Sequence, residues 1–322
     1  MRTALGPRVT TLLVPLLLAC QPDAAGPRPS SNVQPRFSFS ADGWSAPVNM
    51  GPIINSSDAD VNSALSPDGL SLYMTSSRPG GLGVTDIWVA HRDCIDCDWQ
   101  APVNLGAPFN AAGQDAGPRL SNDGHLLFFQ SDRGRGAGIF YIYVARRDNP
   151  NDDFGWGAPV LLGPDVNTTD GSQQAADYLQ SAEDGRGNFY FNRSTLTTPQ
   201  PEIYTAAISR DGESLGPATI VPELNVVASN DQHVTIRKDG RELFFSSNRA
   251  GGSGGFDIYT STRRSVHEPW SAPVNVGSLN TTSNDMQPSL SADGRTLVFS
   301  SNRPGGFGAN DLWISTRSPG NN

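Results

Sequence analysis

The chain has 322 residues, a formal net charge of −9, 34 Gly and 25 Pro. The acidic balance argues against nucleic acid or an anionic lipid surface as a partner, because no basic patch would neutralise phosphates. The length and the abundant turn-forming residues suit an all-β domain larger than the usual range of about 100–200 residues.

The N-terminus has the pattern of an export signal. Arg2 and Arg8 precede an apolar run, residues 11–19, which is too short to span a bilayer. The run ends in Leu-Leu-Ala-Cys20, which resembles a bacterial lipobox, so cleavage before Cys20 and its acylation are expected. An ordinary secretory signal with an incidental cysteine is the alternative.

These features divide the chain into three parts. We predict a signal peptide over residues 1–19, a lipidated flexible tether rich in Pro, Ala and Ser over 20–36, and a folded domain over 37–318. Gln21 after the cysteine favours export to the outer membrane, where the protein would face either the periplasm or the outside.

The folded part opens with a phrase that recurs along the chain. Residues 44–51 read Trp-Ser-Ala-Pro-Val-Asn-Met-Gly, and related phrases occupy residues 99–106, 156–163 and 270–277. Each contains a proline, which cannot donate to a strand ladder, so the phrase predicts a strand at a sheet edge.

A second phrase recurs about every 55 residues. Its marker is an Asp-Gly pair, found at Asp68-Gly69, Asp123-Gly124, Asp184-Gly185, Asp239-Gly240 and Asp293-Gly294. The apolar spacing within each copy is two, which indicates strands, and the glycine tolerates the positive φ of a tight hairpin. In the fifth copy we predict strands over residues 287–291, 296–300 and 311–316.

Together the two phrases describe one propeller blade of four antiparallel strands with the edge strand last. The first edge phrase precedes every inner strand, and the last repeat stops near Arg317 without an edge strand of its own. We therefore predict an all-β, five-bladed β-propeller in which the N-terminal strand completes the last blade and closes the ring.

Two cysteines, Cys94 and Cys97, lie in the loop between the third and fourth strands of blade one. An exported compartment is oxidising, so we predict a local disulfide between them. A zinc site would need two more ligands and only His91 is near, so we expect no metal and no cofactor.

The repeats resemble a known family. The phrases Leu-Ser-Pro-Asp-Gly (65–69), Tyr-Met-Thr-Ser-Ser-Arg (73–78) and Asp-Ile-Trp (86–88) are similar to those of TolB-type, WD-repeat-like β-propellers, over residues 43–317. The resemblance implies an envelope scaffold or binding protein. TolB itself has six blades, so its partners are not transferred to this chain.

The strand order brings one set of loops to one face, here called the rim face. It gathers the arginines after each second strand and the acids at each first strand: Arg78, Arg133, Arg193, Arg249, Arg303, Asp60, Asp115, Asp231 and Asp285. Three of these arginines have an aspartate eight residues later, and Arg193 has Glu202. We predict that each arginine clamps its glycine-rich loop through that carboxylate.

Departures from the repeat mark candidate binding residues. Tyr141 replaces the regular acid in blade two, which predicts an unpaired Arg133 able to take a carboxylate or a sugar. His233 stands near the channel, at the position of Gln287 in blade five. The candidate ligand-binding residues are Asp60, Asp115, Arg133, Tyr141, His233 and Asp285.

The leading functional hypothesis is a non-catalytic propeller that binds an envelope protein, a glycan or a peptidoglycan fragment at the rim face, with the membrane contacted only through the lipid anchor. The alternative is a glycoside hydrolase, which needs two carboxylates about 5–10 Å apart. The equivalent rim acids Asp60, Asp115 and Asp285 do not differentiate an acid from a base. A calcium-stiffened scaffold ranks below both.

Overall fold

The computed structural model describes residues 43–180 and 187–318. These residues form twenty strands in five antiparallel sheets of four strands, and they include no helix. No helix that could cross a membrane is therefore present among them. The predicted signal peptide, the tether with Cys20 and the Asp184-Gly185 turn lie outside the described residues.

The blades follow the chain. The short strand β1 (Val48–Asn49) comes first. Blade one contains β2 (Asp60–Leu65), β3 (Ser71–Ser76), β4 (Asp86–His91) and β5 (Val103–Asn104). Blade two contains β6 (Asp115–Leu120), β7 (Leu126–Gly136), β8 (Ile139–Arg146) and β9 (Val160–Leu161). Blade three contains β10 (Gly171–Gln180), β11 (Gly187–Thr195), β12 (Glu202–Ile208) and β13 (Thr219–Ile220).

Blade four contains β14 (Asp231–Ile236), β15 (Glu242–Ser247), β16 (Asp257–Thr262) and β17 (Val274–Asn275). Blade five contains β18 (Asp285–Leu290), β19 (Thr296–Ser301) and β20 (Asp311–Thr316). The inner strands β2, β6, β10, β14 and β18 contact one another in a closed circle around the axis.

The N-terminal strand closes the ring. β1 pairs antiparallel with β20, with Val48 opposite Ile314, and Trp44 forms an isolated bridge with Arg317. The five-bladed, N-terminally closed propeller predicted from the sequence is confirmed. The edge strands span only two residues each, and in four of them the residue just before the strand is a proline, which lacks the N–H that would extend the ladder.

The hydrophobic core lies between adjacent blades. Phe128 of β7 packs against Phe189 of β11 in the next blade, with ring centroids 5.0 Å apart. Trp44, which is 1% exposed, meets Phe244 of blade four edge-to-face at 5.7 Å. An arginine guanidinium also lies over the tryptophan of an edge phrase in four places: Arg92 over Trp99, Arg147 over Trp156, Arg263 over Trp270 and Arg317 over Trp44.

A β-bulge interrupts every inner strand, at the third residue in four blades and at the fifth residue of β10. The bulged residues all have positive φ: Asn62, Gly117, Ala175, His233 and Gln287. Each donates its backbone N–H to a polar side chain on the second strand of the preceding blade, such as His233 to Asn192 Oδ1 at 2.7 Å. The bulge is thus common to all five blades, and it joins neighbouring blades.

The loop between β4 and β5 contains the two cysteines. Cys94 and Cys97 form a disulfide with a Cα–Cα distance of 5.0 Å, and Cys97 N donates to Cys94 O at 3.0 Å. The bridge joins residues of one turn, so it fixes that turn and does not connect separate blades.

Candidate functional site

The rim face carries a repeated clamp of an arginine and a buried aspartate. In blade one, Arg78 Nη2 donates to Asp60 Oδ1 at 2.6 Å, and Ser76 Oγ donates to the same oxygen at 2.6 Å. The other carboxylate oxygen accepts from the backbone N–H of Ser56 at 2.5 Å. The same ion pair recurs as Arg133–Asp115, Arg249–Asp231 and Arg303–Asp285, at 2.5–2.6 Å.

The acids that follow the arginines by eight residues have another role, so the predicted clamp partners were wrong. Asp86 accepts hydrogen bonds from the backbone N–H groups of Leu82 and Gly83 and from Asn104 Nδ2 at 2.9 Å. Asp257 and Asp311 hold their own glycine-rich loops in the same manner. A carboxylate is needed there because several loop N–H groups converge on it.

Blade two also departs from the prediction. Arg133 is paired with Asp115, so it is not free to take a ligand carboxylate. Tyr141 instead accepts a hydrogen bond from Arg135 Nη1 at 2.7 Å, and the Arg135 guanidinium lies 4.2 Å from the centroid of its ring. Arg135 also donates to the carbonyl of Gly171 in blade three, at 3.1 Å, and so ties the two blades together at the rim.

Blade three lacks the clamp. Gln173 stands where the other inner strands have aspartate, and Arg193, opposite Gln173, occupies the strand position of the clamp serine. Arg193 therefore donates to the backbone carbonyls of Asp165 and Val166, at 3.2 and 2.9 Å. Its Nε, and Oε1 of the buried Gln173, have no hydrogen-bond partner among the described residues.

Two carboxylates outside any clamp surround this arginine. Burial is the main influence on the Arg193 guanidinium and lowers its pKa, whereas the negative charges of Tyr204 and Asp170 act in the opposite direction. Burial, followed by the charge of Glu202, raises the pKa of Tyr204, which also hydrogen-bonds Glu202. Glu202 is directly opposite Arg193 in the β11–β12 register. Asp170 and Glu202 thus lie close to the same arginine and the same tyrosine.

An open groove of about 460 Å³ adjoins these residues at the rim between blades two and three. Asp170 and Arg135 are in its wall, together with the exposed apolar side chains of Ile139 and Leu196. The groove exists because β7, β8, β10 and β11 are longer than their counterparts in the other blades. A groove with apolar walls and a few polar groups is the usual form of a small-molecule or sugar subsite.

The axis contains a second polar cluster. Arg119 Nη2 donates to the Pro288 carbonyl at 2.8 Å, and Arg119 Nη1 donates to that of Ser63. Arg119 and Asp177 are buried and interact electrostatically. Burial raises the pKa of Asp177, and burial followed by the Arg119 charge lowers the pKa of His233 to about 3. A cavity of about 40 Å³ beside Arg119 is too small for a sugar ring.

The low pKa of His233 predicts acid sensitivity. Below pH 6.5, the ordinary pKa of histidine, His233 binds a proton in the unfolded chain but stays neutral in the folded protein. Stability is therefore lost as the pH falls from about 6.5 toward 3. Between pH 7 and pH 5 the wild type should lose about 2 kcal/mol more unfolding free energy than His233→Gln. Urea titrations at both pH values measure this difference, and equal losses in the two proteins would contradict it.

The candidate residues from the sequence are thus distributed over three places. Asp60, Asp115, Arg133 and Asp285 belong to clamps, Tyr141 stands with Arg135 near the groove, and His233 lies at the axis. Sequence reasoning missed Gln173, although it breaks the repeat where the other four inner strands have aspartate. It also missed Arg119. This arginine lies in the inner strand of blade two, at the position that Ala64 occupies in blade one and Ser289 in blade five.

Neither a protein-family model nor a curated protein matches the sequence. Among solved structures, the fold is similar to an endo-arabinase from Bacteroides thetaiotaomicron, at a TM-score of 0.59 and 16% identity over 83% of this chain and 98% of that one. It is also similar to an α-L-arabinofuranosidase from Lactobacillus brevis, at a TM-score of 0.53 and 13% identity over 85% and 94% of the two chains.

The comparisons support a propeller but do not confirm the TolB-type family. A protein described as a TolB from Agrobacterium tumefaciens aligns at a TM-score of only 0.48 and 17% identity, over 79% of this chain and 76% of that one. The comparisons contradict the expectation of a non-catalytic protein, because the similar structures are mostly glycoside hydrolases. At identities of 12–17%, the likeness shows the shared fold alone.

Proposed function

We propose that this protein is a glycoside hydrolase that binds a glycan in the groove between blades two and three. Asp170 and Glu202 are its carboxylate pair. The observation that carries the proposal is the missing clamp of blade three. The four other blades use their inner-strand aspartate to neutralise an arginine, whereas Arg193 has Glu202 opposite it in the strand register and feels the charge of Asp170, which lines the open groove.

The chemistry of glycoside hydrolysis fits such a pair. One carboxylic acid protonates the leaving oxygen, while the other, ionised, attacks the sugar or activates a water. The two groups must differ in environment so that one holds a proton when the other does not. Asp170 is exposed and lines the groove, whereas Glu202 is half-buried and hydrogen-bonded to Tyr204. The clamp acids Asp60, Asp115 and Asp285 of the original hypothesis lack this asymmetry.

The shape of the groove favours a polymeric substrate. It is open to solvent at the rim, and its apolar residues Ile139, Leu196 and Pro199 can lie against the carbon faces of sugar rings. Two of the similar structures are an endo-arabinase and an α-L-arabinofuranosidase, so arabinan and arabinofuranosides are the first substrates to test.

The test compares turnover of 4-nitrophenyl α-L-arabinofuranoside, the corresponding β-xyloside and β-galactoside, and debranched arabinan. If the wild type cleaves one of them, Glu202→Gln and Asp170→Asn should each lower kcat/KM at least about 100-fold, the size expected for loss of a general acid or base. Glu223→Gln is the matched control, because Glu223 is an exposed carboxylate in a loop of the same face.

Two results would refute the proposal. One is full activity in both the Glu202 and the Asp170 variant, which would place the chemistry elsewhere on the propeller. The other is an absence of turnover on every substrate, combined with no heat of binding for arabino-oligosaccharides in calorimetry. Unfolding curves of each variant confirm that a lost activity does not reflect a lost fold.

A further inference from the structure

The boundary between blades two and three differs from the other boundaries on the face opposite the rim face. Elsewhere an edge-phrase tryptophan lies there beneath the guanidinium of an arginine that follows the third strand. In blade five these residues are Trp44 and Arg317, which form an isolated bridge. The equivalent bridge in blade three joins Ser214 and Ile208. Blade three therefore has a serine in place of the tryptophan and an isoleucine in place of the arginine.

A backbone hydrogen bond supports this correspondence. The residue after the serine, Leu215, donates its N–H to the carbonyl of Ala207 at 2.8 Å. The residue after the tryptophan of blade five, Ser45, donates in the same way to the carbonyl of Thr316, also at 2.8 Å. Each carbonyl belongs to the residue just before the bridged one. The two segments thus approach their blades in the same register, and the difference between them is in the side chains.

A cavity of about 360 Å³ lies beside this serine. Its walls include Val144 and Leu162 of blade two. In the strand registers these two residues correspond to Val89 and Leu105 of blade one. Both residues of blade one pack in the core cluster that contains Trp156. The cavity therefore occupies the place that a tryptophan fills at the boundary between blades one and two.

The lining of the cavity suits a planar aromatic ring. Val160 and Leu161 of β9 add apolar surface and are 52% and 46% exposed. Arg146 and Asp165 are also in the wall. A guanidinium can lie over the face of an aromatic ring, and a carboxylate can accept a hydrogen bond from a ring N–H. The volume falls in the range of about 300–1,000 Å³ that is usual for small-molecule sites.

We propose that this cavity binds a small aromatic molecule of the indole class, which takes the place of the missing tryptophan. The four other blades define the occupant, because an indole ring fills the same place in each of them. Ile208 is fully buried and packs in one core cluster with Val144 and Leu162, so it supplies an apolar floor where the other blades have a charged guanidinium. Burial of the ring against this floor stabilises the complex.

The first experiment uses indole and 5-bromoindole as probes. Indole at ten times its calorimetric dissociation constant should raise Tm by about 3 °C. Crystals soaked in 5-bromoindole should give a bromine anomalous peak in the cavity, in contact with Val144 or Leu162. No heat of binding up to the solubility limit of indole would overturn the proposal. A peak in crystals without a Tm shift in solution, which means binding at crystal concentration only, would overturn it as well.

The second experiment fills the cavity from within. Ser214→Trp should raise the Tm of the unliganded protein and remove the indole-dependent shift. Leu215→Trp is the control, because Leu215 is the next residue, is 55% exposed and does not line the cavity. It should change neither Tm nor indole binding. An indole shift of wild-type size in Ser214→Trp would place the ligand elsewhere and contradict the proposal.

A third pair of variants tests the site without an added aromatic ring. Val160→Asp should weaken indole binding at least about tenfold, because a carboxylate then faces the apolar wall. Val103→Asp is the control, since Val103 holds the equivalent place in blade one and is equally exposed, at 54%. Equal affinities in the two variants would contradict the proposal. N-acetyltryptophanamide binding more tightly than indole would indicate a partner protein's side chain and contradict it too. These readouts do not involve glycoside turnover.

Discussion

Replacing Arg119 by methionine should lower the unfolding free energy by about 3–5 kcal/mol, because it leaves the buried carboxylate of Asp177 without its opposing charge. Methionine keeps much of the side-chain volume, so the loss reflects charge and hydrogen bonding more than a cavity. The carbonyls of Ser63 and Pro288 also lose their donors. Urea unfolding at pH 7 measures the change. Arg295→Met is the control, because Arg295 is exposed and its loss should stay within about 0.5 kcal/mol.

The pH dependence of this variant tests the cause. Without Arg119, burial is opposed only by the hydrogen bonds from Ile236, Thr235 and Tyr178, so the pKa of Asp177 rises further and the folded state binds a proton that the unfolded state releases. The variant should therefore regain stability, relative to Arg119→Met/Asp177→Asn, as the pH falls from 7 toward 5. Parallel pH profiles for the single and double variants would show that the carboxylate is not the source of the loss.

Trp44→Ala should cost about 3–5 kcal/mol of unfolding free energy, the range for removal of a fully buried aromatic side chain. Trp44 connects the N-terminal segment to both blade four and blade five. It lies against Phe244 of blade four and beneath the Arg317 guanidinium of blade five, 4.7 Å from the ring centroid. Its loss therefore weakens the closure of the ring as well as the local packing.

A matched variant exists in blade one. Trp99 occupies the equivalent place in its edge phrase and lies 4.5 Å from the guanidinium of Arg92, but it is only half-buried. Trp99→Ala should therefore cost clearly less than Trp44→Ala in the same urea titration. Equal costs would indicate that the closing strand contributes no more than any other edge strand.

The architecture was predictable because its signals are local and repeated. The Asp-Gly turns, the period-two strands and the prolines of the edge phrase each constrain short stretches of backbone, and five copies reinforce one another. Ring closure could be predicted because an edge strand precedes the first repeat, whereas the last repeat has no edge strand of its own. These features depend on the order of elements along the chain and not on side-chain geometry.

The candidate site was harder to predict because it depends on which groups meet across strands. The arginine of each clamp reaches an aspartate 18 residues earlier, on the inner strand, although in three of the four clamps another aspartate lies eight residues later. Strand pairing brings the earlier acid closer than sequence spacing suggests. The same misassignment made Arg133 look free and concealed Arg193, whose partner had been replaced by Gln173.

The place where the polypeptide joins the propeller has a topographical consequence. Trp44 bridges Arg317 at the end of β20 that is remote from Asp311 and the clamps, so the described chain enters the propeller on the face opposite the groove. Substitutions in this closing seam should therefore alter stability without touching a glycan held in the groove.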